Sequence, residues 1–566
     1  MLILFLSQLF MTYTCLMAGV LFYSLLSEKN ASPLKSPLLY FITGLIGLTL
    51  ISQILALFFP ITFFITVILF FLFQAFIYVK WQYYKPPFTH IFKSITGLHL
   101  YTKIGFCIMW LVLLFLNAGP TLMDDTESYH IQMIKWIQEY GTVPGIANLH
   151  ERFGFNSSWF SSIALFAYPS ANNYYTILNG VLSVWFIFYL WSYINAIFRK
   201  KTSATHFEMS ACIAVMFIGI LSWPVVRGNV SMANYDAISM VVVFVLFFET
   251  MREKTSHLKF NLQIEWLLWP VYLFTVRIIN YPLLLLSFFI FFIFLNQKKW
   301  KSIVLYSILC AFLVVPFFIR NIVISGYPFF PSPFLNVFDV DWKVDSKIID
   351  DLLYYIKYYN RVNPMFQSLN KTAELNSFSW LPYWFKYLFI YDKLLVVPGI
   401  AGYLSFIIWR NKDFFKKPYL TFLVIVLILQ LVSWFVIAPD PRFIYGGLIC
   451  GIVLFTVPLH SFFREKKLRT LSQFLVGAIC LFMLSIGIKH FILDNRYTNL
   501  IFPKKLPQPP ITKIHINSIE VNIPSPILNN WNARCYGTQL PCAYKLDPRL
   551  YLRGTKLSEG FSIKKK

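Results

Sequence analysis

The sequence predicts an all-α polytopic membrane fold, a bundle of about fourteen transmembrane helices. Three observations carry this. Of 566 residues, 57% are hydrophobic and only 13% are charged, and mean hydropathy is +0.61, far from a soluble domain. Apolar runs long enough to cross about 30 Å of hydrocarbon recur along the chain. The loops between them alternate between rich and poor in Lys and Arg, as the positive-inside rule requires.

Windows of about 19 residues place spans near 2–26, 38–59, 61–79, 104–118, 174–197, 207–225, 236–251, 260–279, 281–295, 302–319, 391–409, 418–438, 443–461 and 471–489. One set of loops carries Lys29, Lys35, Lys80, Lys85, Lys93, Lys103, Arg199-Lys200-Lys201, Arg252, Lys254 and Lys259. It continues with Lys298-Lys299-Lys301, Arg410, Lys412, Lys416, Lys417 and Arg464-Glu465-Lys466-Lys467. These loops are expected to be cytoplasmic. The net charge of +24 is then largely a topogenic signal, and nothing calls for nucleic acid. The opposite, external face receives the N-terminus, two long loops (119–173 and 320–390) and the tail 490–566. Residues 1–26 lack an n-region charge and a small-residue cleavage site, so they read as an uncleaved span. Residues 1–103 are expected to add N-terminal helices to a core at 104–489.

Cysteine placement agrees with this orientation. Cys15, Cys107, Cys212, Cys310, Cys450 and Cys480 lie in apolar runs and read as small core residues. Cys535 and Cys542 lie in the polar tail, where their spacing can close a small disulfide loop in an oxidising compartment.

The first external loop holds the densest chemistry. Asp124-Asp125-Thr126-Glu127-Ser128-Tyr129-His130 sets three carboxylates, a Tyr and a His at a membrane boundary, where ionisable groups are costly to desolvate. Tyr129, Met133, Trp136, Ile137 and Tyr140 are spaced three or four apart, with Lys135, Gln138 and Glu139 elsewhere around the helix. That pattern predicts an amphipathic helix in the interface plane. Asp124 or Asp125 suits its N-cap, yet one cap does not need two Asp and a Glu. Gly141 to Gly145 breaks the helix, and Asn148 to Trp159, with His150 and Arg152, returns to the membrane.

Asp125-x-x-x-Tyr129-His130 with Trp136, in a loop after a span and leading into an interfacial helix, resembles the first external loop of GT-C glycosyltransferases. The closest version is that of bacterial GT-C-like proteins linked to cell-surface polysaccharide. The resemblance covers most of residues 104–460. It implies an enzyme using a polyprenyl-phosphate-linked sugar donor, with the catalytic base falling on Asp125 and a second acid in the next external loop. Asp236, after Arg227-Gly228-Asn229 and Asn234-Tyr235, is the acid available there, with a plain helix N-cap as the competing reading. Arg320-Asn321 with Gly326-Tyr327-Pro328-Phe329-Phe330-Pro331 is similar to the family's Arg-Asn…Gly-x-Pro-x-x-Pro signature. Asp440-Pro441-Arg442-Phe443 is similar to its Pro-x-Arg-Phe/Tyr element. Arg277 stands at a position where the family more often has Lys, and it could snorkel to the external surface.

The chemistry explains these residue types. A sugar leaves its lipid carrier as a phosphate anion, which a bidentate, permanently charged Arg suits better than Lys. The acceptor hydroxyl needs a base, and a partly buried carboxylate with a raised pKa can take that proton. One base without a covalent sugar intermediate implies inversion. The expected roles are base for Asp125, support for Asp124, Glu127 and Asp236, and phosphate binding for Arg277, Arg320 and Arg442. Tyr129, His130, His150, Arg152 and Asn321 complete the substrate-binding set. Asp125 and Asp236 could also share a divalent cation, although no spacing forces a ligand set. No Gly-rich nucleotide loop, Walker motif or zinc spacing occurs.

The expectation is therefore an inverting transferase on the periplasmic face of a bacterial inner membrane, acting on a surface-glycan or lipid-linked acceptor. The alternatives are a lipid-linked glycan transporter or flippase, a glycan polymerase or ligase, and an inactive scaffold. Transporters tend to show internal repeats and midplane charges, and here the charges collect at one face. The loop 320–390, with its acids and aromatics, suits sugar binding or plain solvation. The tail, with Arg553-Gly554 and Gly560-Phe561 near the Cys pair, is expected to be a small external appendage packing over the site.

Overall fold

The structure is a computed structural model that describes residues 1–26, 35–121, 124–167, 175–198, 206–221, 229–253, 262–362, 366–375, 377–409, 417–462, 465–493, 498, 500–503, 505–517, 519–525, 534–544 and 546–564. Lys29, Arg199, Lys200, Lys201, Arg227, Gly228, Lys254, Lys259, Arg410, Lys412, Lys416 and Arg464 lie outside those residues.

The chain is predominantly helical. It opens with α1 (Leu2–Leu26), α2 (Pro37–Ala56), α3 (Phe63–Val79), α4 (Trp81–Thr96) and α5 (Leu100–Asn117). α3 and α4 meet at a 110° bend, and α4 carries Lys85 and Lys93 beside exposed Trp81 and Phe92. The first long loop contains a π-helical turn, Thr126–His130, running into α6 (Ile131–Tyr140), followed by α7 (Ile146–Leu149) and α8 (Ser158–Phe166). The bundle continues with α9 (Ile177–Ile194), α10 (His206–Leu221), α11 (Asp236–Arg252), α12 (Gln263–Val276), α13 (Leu284–Asn296) and α14 (Trp300–Ser325). The second long loop holds α15 (Ser346–Tyr359), α16 (Leu369–Glu374) and α17 (Leu381–Tyr387). The last helices are α18 (Ile390–Trp409), α19 (Pro418–Ile437), α20 (Tyr445–Phe462) and α21 (Glu465–Ile492).

Among the described residues, nine helices are long and apolar enough to cross a membrane, or ten if the bent α3–α4 pair is one span. The chain is a multi-pass membrane protein. Its other expected spans are helical but shorter, such as α11 with 17 residues and α12 with 14. Burial separates centre from rim. The apolar window of α9 is 89% buried and that of α14 is 22% buried, so α9 is interior while α14 turns Val304, Ile308 and Phe312 outward. Such a row of apolar side chains is stable only against lipid or another apolar surface. Close approach of helices uses small residues. A side chain on Gly402 of α18 would meet the backbone of Gly451 on α20, and one on Gly451 would meet Gly399.

The core cysteine expectation holds for Cys15, Cys212 and Cys450. Cys107 is exposed, and Cys310 and Cys480 are half-buried. A thiol is apolar enough to stand on the outer side of a membrane helix.

The tail is not helical. β1 (Ile511–Ile516) pairs antiparallel with β2 (Ile519–Pro524), and β3 (Leu550–Leu552) with β4 (Phe561–Ile563). Cys535 and Cys542 are joined. The tail knits the two long loops together. Phe561 N donates to Pro144 O (2.9 Å), Asn148 Nδ2 to Trp342 O (2.8 Å), and Arg553 Nε pairs with Asp341 (2.6 Å).

Candidate active site

The three acids of the 124–127 cluster divide between two sets of partners. Asp125 precedes the π-helical turn, and its carboxylate makes no capping bond, which removes the N-cap reading for this residue. Instead Oδ2 accepts from Arg442 Nη1 at 2.9 Å and Oδ1 from Arg152 Nη1 at 3.3 Å. Arg442 sits on a 3-10 turn, Pro441–Ile444, directly before α20. Asp440 holds it there, accepting from its backbone N at 3.1 Å and from Nε at 2.9 Å. The fork of Arg442 is thus fixed on one edge by Asp440 and presented to Asp125 on the other.

A second pair lies alongside. Asp236, the first residue of α11, is paired with Arg277, which occupies the extended break after α12. Arg277 does not snorkel: it lies 3.6 Å over the Phe443 ring and 5.1 Å from that of Tyr235, because Asp236 offers a nearer counter-charge than water. Phe443 follows Arg442 in sequence and also underlies it at 5.1 Å, so one aromatic ring joins the two ion pairs. Arg152, Arg277 and Arg442 are balanced by Asp125, Asp236 and Asp440. Among the described residues no three or more His, Cys, Asp or Glu converge as a metal group. Asp125 and Asp236, the pair expected to be able to share a cation, are each engaged by an arginine.

Burial alone would raise the Asp125 carboxyl. The charges of Arg442 and Arg152 outweigh it and hold the group at about 2, below the raised value expected. Glu127 is shifted up by burial against the opposing pull of Thr121 and Arg534. Burial likewise pushes His130 down to about 3 and His150 to about 4, leaving both neutral.

His130 packs on Tyr129 (4.4 Å), Phe160 (5.1 Å) and Tyr235 (5.7 Å). Its Nε2 is buried and has no hydrogen-bond partner among the described residues. Tyr129 is buried beneath the Arg152 guanidinium, 5.8 Å from its ring. His150 is buried against Tyr544, and its Nδ1 accepts from Arg152 N at 3.1 Å, so His150 positions Arg152.

Four expected residues lie elsewhere. Arg320, on α14, is buried and donates to Ser161 Oγ at 3.2 Å, while its Nε has no partner among the described residues. Asn321 donates to Pro328 O at 2.6 Å and shapes the turn after α14. Asp124 and Glu127 face away from Asp125 toward Arg534 of the tail, which pairs with both. Sequence reasoning missed Arg534. Its one sequence signal is its place directly before Cys535.

On the amphipathic helix Glu139 is exposed and Gln138 half-buried, while Gln132 and Lys135 are buried and donate to carbonyls at Tyr536, Gly537 and Thr538. The tail replaces water there. From the other side, Tyr355 and Tyr359 of α15 lie 4.8 Å apart within electrostatic reach of Asp125, Arg152 and Arg442. Ala237, which follows Asp236, lines a small apolar crevice with Met240, Leu113, Leu182, Phe186 and Val215.

Residues 1–449 match the family described as "Domain of unknown function (DUF8201)". The chain belongs to this family. No curated protein and no solved structure matches it. The DUF8201 match takes in both ion pairs, including Asp125, Asp236, Arg277 and Arg442, and ends before the tail that supplies Arg534.

Proposed function

We propose that this DUF8201 chain is a GT-C-type glycosyltransferase of a bacterial inner membrane. It moves a sugar from a polyprenyl-phosphate donor to a surface-glycan or lipid-linked acceptor at the periplasmic face, with inversion. The expected fourteen spans and external first loop belong to this reading. The observation that supports it most directly is the Asp125 carboxylate shared between Arg442 and Arg152 while its side chain stays 26% exposed.

Ion pairing explains how so acidic a group can serve as base. A donor phosphate competes for the same guanidinium forks, which bind phosphate in the same bidentate way as carboxylate. Once Arg442 and Arg152 turn to phosphate, burial is left as the main influence on Asp125 and its pKa rises. The acceptor O–H then gives its proton to Asp125 as the oxygen bonds the anomeric carbon. The bond from that carbon to the phosphate oxygen breaks, and the electron pair leaves with the polyprenyl phosphate. Tyr355 with Tyr359 supports a sugar face.

The test is purified chain in lipid nanodiscs with polyprenyl-phosphate sugars, scoring released polyprenyl phosphate. Wild type releases it only with acceptor, and Asp125→Asn lowers the rate by roughly 100- to 10,000-fold, the worth of a general base. Undiminished transfer by correctly inserted Asp125→Asn sinks the base assignment. Movement of an intact lipid-linked sugar across the bilayer without release would favour a flippase.

A further inference from the structure

Among the described residues, the tail's Arg534 reaches the acids at 124 and 127 from outside the family-matched region. Arg534 Nη1 donates to Glu127 Oε2 at 2.5 Å, and its Nη2 pairs with Asp124. These two acids flank Asp125 in sequence, yet Asp125 bonds Arg152 and Arg442. Four contacts hold Arg534 in register. Tyr536 N donates to Glu127 O at 2.8 Å. Gln132 Nε2 donates to Tyr536 O at 2.9 Å. Lys135 Nζ donates to Gly537 O at 3.0 Å and to Thr538 O at 2.8 Å. The loop itself is closed by the buried Cys535–Cys542 disulfide and fixed at its base by Asn522 N donating to Pro541 O at 3.0 Å.

We propose that Arg534, carried on this disulfide-closed loop, is a positioning residue for Asp125. It withdraws Asp124 and Glu127, so that a single carboxylate is left for the Arg152–Arg442 pair. Three carboxylates within four residues compete for any nearby guanidinium, and like charges so close oppose one another's ionisation. With Arg534 in place the acids are sorted: two face the tail and one faces the arginines. Without it, Asp124 and Glu127 are uncompensated anions beside a site meant for a phosphate. The inference rests on reading the Arg152–Arg442 pair as that phosphate site.

The test uses the full chain in nanodiscs, with inorganic phosphate as the probe and hydrogen exchange of residues 126–135 as a second readout. In Arg534→Gln, phosphate affinity falls about 10-fold, a loss of about 1.4 kcal/mol, and weakens further as pH rises through the carboxylate range. Exchange in 126–135 rises. Arg534→Lys, keeping the charge without the fork, recovers part of both. Reduction of the disulfide, or Cys535→Ser with Cys542→Ser, acts in the same direction. In an Asp124→Asn, Glu127→Gln background the Arg534→Gln effect on phosphate disappears, because no acids remain to withdraw. A merely structural role would leave it intact, and that outcome overturns the proposal, as does wild-type affinity and pH profile in Arg534→Gln. If the wild type binds neither phosphate nor polyprenyl phosphate while exchange still rises in Arg534→Gln, the phosphate reading fails and the clamp on 126–135 stands.

Discussion

Asp125 and Arg442 stand 317 residues apart in the chain and meet at 2.9 Å. Asp440 grips the other edge of the same guanidinium at 2.9 Å, so Arg442 is a bridge between two carboxylates. Its planar fork is what allows both contacts at once.

Arg442→Lys keeps the charge and loses the bridge. A single ammonium cannot hold Asp440 and present a second, directed donor to Asp125 or to phosphate. Phosphate affinity in nanodiscs is expected to drop roughly 10- to 100-fold, from the loss of about 1.5–3 kcal/mol for a charge-assisted bond. Equal affinity in the Lys variant would show that Arg442 does not bind the anion.

Arg320 is expected to trade stability for binding. It is buried on α14 with Ser161 as its hydrogen-bond partner, and a buried cation without a counter-charge costs free energy. Arg320→Met should raise or preserve the melting temperature in detergent while weakening polyprenyl phosphate binding. A large loss of stability with binding unchanged would make Arg320 a structural residue.

Acid should destabilise the protein from mid-range pH downward. His130 and His150 have folded values of about 3 and about 4 against an ordinary 6.5, because burial disfavours their charged forms. Above pH 6.5 both states are neutral and contribute nothing. Below it the unfolded chain takes up protons that the folded chain refuses, and stability falls by about 1.4 kcal/mol per pH unit for each His. Asp125, held at about 2 against 3.8, adds a further loss as pH falls between those values. Melting temperature followed against pH should therefore slope down below 6.5, and His130→Asn with His150→Asn should flatten that slope.

Gly451→Val should separate α20 from α18. A side chain there would overlap the backbone of Gly399, and α20 follows directly on the turn that carries Arg442. Overpacking of this kind costs roughly 1–3 kcal/mol, read as a lower melting temperature. Phosphate affinity should fall with it, since Arg442 moves with the helix.

Much of the site was legible in the sequence. Asp125, Asp236, Arg277 and Arg442 stand out through loop motifs that resemble those of a known family, and the fold joins them through Phe443. What resisted was direction. Asp124, Asp125 and Glu127 look interchangeable in a row of acids, and nothing local says that two of them face the tail. Arg534 could not be found because its partners lie more than 400 residues away, at separations of 410 and 407. Asn321 reads as a ligand-ready polar residue, yet its amide closes a turn.

The sequence by itself determined the class of molecule, because hydropathy and helical period are local properties that each segment carries alone. It also determined which boundary collects the ionisable groups, through the alternation of charge between loops. Tertiary structure alone decided which carboxylate meets which guanidinium. That choice depends on distances between chain-remote groups and on how far each pair is desolvated, and both exist only once the helices and the tail have packed.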